Sequence, residues 1–140
     1  LLRRLPFVPL PGGGGALVQP IHQDDVTHAI VTALDRAWNG PHSLVLAGPS
    51  PLPYADFVRA VARAAGLRPP RIVPLPVAPL IAAAPITGLL AFLPRLRAAE
   101  IRRLTEDKAF DTAPMRAELG LDPVALEQGL ARTFGGPANP

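Results

Sequence analysis

Proline breaks this chain before any strand can grow long. Nineteen of its 140 residues are Pro and twelve are Gly. They follow no repeat, so they mark many breaks between short elements. Pro has no N–H to give a ladder and is confined to sheet edges or irregular segments. Phe7-Val8-Pro9-Leu10 and Arg71-Ile72-Val73-Pro74-Leu75 are apolar runs interrupted in this way. The glycine run Gly12 to Gly15 follows the first of them, and Ala16 to His22 then reads as a further extended strand. His42 to Ala47, closed by Gly48-Pro49-Ser50-Pro51, reads as a buried strand and a turn.

Helical periodicity is clearer. Val26, Ala29, Ile30, Ala33, Leu34 and Ala37 form one stripe, with Asp24 or Asp25 expected as N-cap and Gly40-Pro41 as stop. A second helix is expected from Pro53 to Ala65, with Gly66 as terminator. Val77 to Leu93 carries no charge. A membrane span needs about 20 apolar residues. This run is shorter and holds Pro79, Pro85 and Gly88, so it reads as short buried or interfacial helices. Arg95 to Phe110 reads as a charged helix. Pro114 suits the first turn of a helix ending at Leu119-Gly120, and Pro123 opens a last helix bearing Leu126, Leu130 and Phe134. The patterns describe a helix-rich α/β chain of about five helices and two or three short strands. So few strands do not make a self-sufficient sheet, and their edges call for partners.

Composition excludes several function classes. There is no Cys, which removes disulfides, thiolate chemistry and Cys-based zinc sites. Three His residues lack zinc-site spacing, so no metal site is expected. The net charge of +3 comes with no basic stripe and no interleaved aromatics, which argues against nucleic-acid binding. The chain opens with Leu and has no signal-peptide h-region, so a piece of something longer is expected.

No complete catalytic constellation is legible. His22, Asp24 and Asp25 form the densest polar cluster. The Asp residues are accounted for by helix capping, and His22 by a strand end or a pocket wall; no nucleophile stands near to make His22 a general base. Tyr54 is the only Tyr, and Val58 stands where a dehydrogenase-type Tyr needs a Lys. Lys108 reads as a solvated salt-bridge partner. The glycine run leads into an extended segment rather than a helix, unlike a dinucleotide fingerprint.

From Gln19 to Ile30, Gln-Pro-Ile-His-Gln-Asp-Asp-Val-Thr-His-Ala-Ile, the chain resembles the extended and atypical short-chain dehydrogenase/reductases, the NAD(P)-dependent epimerase/dehydratase group. Ser43 to Gly48 with Leu52 to Val58, and Asp111 to Leu130, echo later segments of that family in the same order. Gln23 stands where the family usually has Val. Val18 replaces an Arg typical of sugar-nucleotide members, and Thr105 to Asp111 lacks their Arg-x-Gly-Asp phrase. These departures weaken a nucleotide-sugar reading; Glu106-Asp107-Lys108-Ala109-Phe110-Asp111, with the apolar Val77–Leu93 stretch, resembles the atypical branch that includes the dehydrogenase-like accessory subunit of respiratory complex I.

The resemblance implies a helix-rich C-terminal, substrate-side portion of a Rossmann-type protein, residues 1–134 with a frayed tail at 135–140. The nucleotide-binding half, with its glycine fingerprint and Tyr-x-x-x-Lys, would be its partner. NAD or NADP would bind in that parent, an NAD(P)-dependent oxidoreductase or epimerase. This chain alone would bind no cofactor and hold no catalytic residue. Gln19 and His22 would line the substrate cleft, in a cytoplasmic or membrane-peripheral setting. The rival expectation is an interaction or membrane-surface module docking through Val77–Leu93 and the Arg residues after it.

Overall fold

The computed structural model describes residues 7–79, 103 and 105–135. In chain order the elements are β1 (Phe7–Pro11), a 3₁₀ turn (Gly12–Gly14), β2 (Leu17–Val18), α1 (Gln23–Asp35), β3 (Leu52–Pro53), α2 (Tyr54–Ala64), β4 (Arg71–Leu75), α3 (Ala113–Leu119) and α4 (Leu126–Gly135). Among the described residues this is a small α/β chain. It divides into two compact units, Leu1–Leu17 with Pro53–Asp107, and Val18–Leu52 with Lys108–Pro140. β2 pairs with β3, and the division falls inside both strands.

In the first unit β1 and β4 run parallel, with Phe7 opposite Arg71 and Pro11 opposite Leu75. Side-by-side pairing survives the prolines because Pro9 and Pro11 stand two residues apart and share one edge of β1, while Val8 and Leu10 keep their N–H groups on the other. Gly12, Gly13 and Gly14 all take positive φ, a left-handed turn that side chains disfavour. A Cβ at Gly14 would press on Leu10 and on the backbone of Ala55 at the start of α2. α2 ends as expected. Gly66, at φ +69°, follows it; its N–H meets the Arg63 carbonyl and the Leu67 N–H meets that of Ala62, a Schellman closure.

The second unit has its core at Ala29, Met115, Leu119 and Leu121, with Ala33, Trp38, Leu44 and Leu46 packed against it. α1 forms where the stripe predicts. It stops at Asp35, five residues before Gly40, and its cap is His22 rather than Asp24 or Asp25. The His22 Nδ1 accepts the Asp24 N–H at 3.3 Å. α3 begins with Pro at its first turn and ends at Gly120 in the left-handed region, as the spacing predicts. α4 starts at Leu126, not at Pro123.

Two expected strands change. Only Leu17–Val18 of the stretch 16–22 pairs as a strand. Segment 42–47 joins no ladder, although its burial alternates as in a strand: Ser43 and Val45 face out while Leu44 and Leu46 turn inward. Residues 105–110 are turn and coil, so the end of the expected charged helix is not helical. The rest of that helix, the Val77–Leu93 run from residue 80 onward, and residues 136–140 of the expected tail lie outside the described residues. Among the described residues, no helix is long and apolar enough to cross a membrane.

Candidate functional site: a polar node and an apolar cavity

Both residues expected to line a substrate cleft belong to the second unit, and both are held by the chain itself. Gln19 works as a clamp. Its Nε2 donates to the Gly48 carbonyl at 2.7 Å, and its Oε1 accepts the Phe110 N–H at 2.7 Å. One side chain thus joins three segments distant in sequence. The backbones of 19–20 and 48 run so close that a Cβ at Gly48 would collide with the Pro20 carbonyl. Gly is required there by approach, not by φ.

His22 is 8% exposed at its side chain. Besides capping α1, its ring lies against Gly129 of α4, where an added Cβ would sit 3.4 Å from Cδ2. Nε2 stands 3.5 Å from the Thr133 hydroxyl, which donates to the Gly129 carbonyl at 2.9 Å. The Asp24 carboxylate is 3.4 Å from Nδ1. With Nδ1 at the cap bond, Nε2 is the nitrogen that meets the Thr133 hydroxyl. His22 is therefore a packed joint between α1 and α4 with both nitrogens engaged.

Asp25 departs from the capping role expected of it. It is buried, and its Oδ2 accepts the Val124 N–H at 3.0 Å. It ties α1 to the turn before α4 and gives the Val124 N–H its partner.

The same unit also holds a cavity of about 330 Å³. Its floor is buried Ala29 and Leu119, its walls half-buried Ala33, Leu44 and Leu46, and Ile30, Gly40 and His42 form the exposed rim. Trp38 also lines it. The Trp38 Nε1 donates to the Ala33 carbonyl at 2.7 Å, which ties the indole to α1. The His42 ring lies 4.8 Å from Trp38, tilted by 42°, and the Arg36 guanidinium is 5.1 Å from the indole centroid. Arg36 itself is spent on the Glu118 carboxylate at 2.7 Å and on the Glu118 carbonyl. Of the cavity's lining side chains with a polar atom, Trp38 has its N–H bonded within the chain and His42 stands at the exposed rim. Sequence reasoning missed this site. Its signal was the pairing of small Ala29 and Ala33, one turn apart, with the chain's only Trp.

The remaining candidates are structural. Tyr54 opens α2, donating its N–H to the Ala16 carbonyl at 2.9 Å. Lys108 makes no ion pair among the described residues, contrary to expectation, while Asp107 accepts the Leu17 N–H at 2.9 Å. The glycine turn feeds β2 rather than a helix start, so this turn lacks the strand–turn–helix order of a dinucleotide fingerprint. No group of three or more His, Asp or Glu among them is placed to hold a metal ion.

No protein-family model and no curated protein matches the chain. Solved structures do. The chain superposes on gox2253 with a TM-score of 0.66 at 22% identity, over 94% of this chain and 39% of that one. It matches the Citrobacter sp. triphenylmethane reductase complexed with NADP(H) at TM-score 0.60 and 14% identity, over 94% of this chain and 46% of that one. It matches the NADPH-dependent quinone oxidoreductase QOR2 of Escherichia coli, complexed with NADPH, at 0.56 and 15%, over 90% and 45%. What they share is the fold. The chain spans less than half the length of each of these proteins, as a partial domain of the same fold would.

Proposed function

We propose that this chain is the substrate-side portion of an NAD(P)-dependent oxidoreductase- or epimerase-like protein, not catalytic alone, and that a nucleotide-binding half completes it. The observation that carries this reading is the fold match, nearly complete for this chain and under half for reductases described with NADP(H) or NADPH. Segment 42–47 supports it. An apolar run with a strand's burial pattern and no ladder partner is the edge that a larger sheet would occupy. In this reading NAD or NADP is held by the other half, in a cytoplasmic protein. Gln19 and His22 shape the cleft through the backbone they hold, since their own polar atoms are engaged.

The test is nicotinamide binding by a longer protein that carries this chain together with a glycine fingerprint and a Tyr-x-x-x-Lys pair. Titration with NADPH and with NADH should enhance nicotinamide fluorescence saturably, and the present chain alone should give no enhancement. A longer protein that binds neither cofactor overturns the reading.

A further inference from the structure

We propose that the cavity beside Trp38 and His42 is a binding site for a small, flat, neutral aromatic molecule bearing one hydrogen-bonding group. The site lies wholly within the second unit, so the proposal stands apart from the nucleotide-binding reading. Size comes first. A dry apolar cavity of about 150 Å³ holds one benzene ring. At about 330 Å³ this one has room for two fused rings and falls in the range of small-molecule sites. Chemistry comes second. Floor and walls are aliphatic, so a charged group would be buried without a partner at high cost. An aromatic ligand is favoured because Trp38, the cavity's one aromatic wall, and the His42 ring beside it offer ring contacts that an aliphatic wall does not.

The single polar contact is assigned to His42. Its ring nitrogens have no hydrogen-bond partner among the described residues, and it stands exposed at the mouth beside Trp38. Trp38 offers no donor, because its N–H is already used. The pocket is compatible with strand pairing along 42–47. Pairing uses the backbone edges of that segment and leaves Leu44 and Leu46 turned toward the cavity.

The probe is 2-naphthol, and the readout is the chain's only indole N–H resonance in a ¹H–¹⁵N NMR titration. The expected result is a saturable shift with Kd on the order of 0.1–1 mM, as suits a ligand of this size. His42→Ala, at an exposed position, should weaken binding up to about tenfold by removing one hydrogen bond and a ring contact. Ala33→Phe should fill the cavity and abolish the shift. No shift up to the solubility limit of 2-naphthol overturns the proposal, as does a shift that Ala33→Phe leaves unchanged. If the Ala33→Phe spectrum shows loss of the fold, His42→Ala decides, and an unchanged affinity overturns the proposal. A resonance that follows protein concentration rather than ligand, with a dimer in sedimentation, means a second copy fills the cavity and also overturns it.

Discussion

Asp25 and Gly48 show how single residues hold segments that the sequence keeps far apart. Removing the Asp25 carboxylate leaves the half-buried Val124 N–H without its acceptor. Asp25→Ala should therefore lower stability by roughly 1–3 kcal/mol, while Asp25→Asn, which keeps one acceptor oxygen, should lose less. Urea unfolding of the two variants measures the difference; equal losses would place the effect outside this hydrogen bond. Gly48→Ala introduces a methyl against the Pro20 carbonyl, which is backbone and has nowhere to go. A loss of about 1–3 kcal/mol is expected, the usual range for overpacking, read as a lower urea midpoint at unchanged slope. The sequence marked both residues without giving their reasons. Two Asp at a helix start read as caps, because a carboxylate's long-range partner has no sequence signal.

Helix ends test the same reasoning with one chemical change made in two settings. Gly66 closes α2 at φ +69°, with nothing within 4 Å of an added Cβ, so Gly66→Ala is a purely conformational change. It should cost about 1–2 kcal/mol. Gly129 lies inside α4, where its Cβ would meet the His22 ring at an ordinary 3.4 Å. Gly129→Ala should stabilise by roughly 0.5–1 kcal/mol, as loss of a helical glycine does. Opposite shifts in thermal midpoint are the expected outcome, and a destabilised Gly129→Ala would mean the His22 ring cannot accept the contact. Helices were the most legible elements, since a 3.6-residue stripe and a following Gly are local signals. The stop of α1 was misplaced because Gly40 is a turn glycine beyond the helix, while the backbone already turns extended at Arg36 and Trp38 bonds back to the Ala33 carbonyl. The 42–47 segment read as a strand because its alternation is genuine; its missing ladder depends on a partner that periodicity does not encode.

For the whole molecule, Met115 is the largest fully buried side chain among the described residues and sits at the centre of the second unit's core. Met115→Ala should cost about 2–5 kcal/mol, with the cavity left behind setting the value. The fold class was legible from the Pro-interrupted runs and the helical stripes, but the two-unit division was not, since it depends on which distant segments meet. Each unit is built from two separated stretches of chain. That has a consequence for synthesis on the ribosome. The β1–β4 pairing can close once residue 75 has emerged. The segment around α1 must wait until Leu121 and Val124 have emerged before its core and the Asp25 bond can form. Until then Ala29, Leu44 and Leu46 have no permanent cover, so this part of the interior waits, after its own synthesis, on Met115, Leu119 and Leu121 much further along the chain.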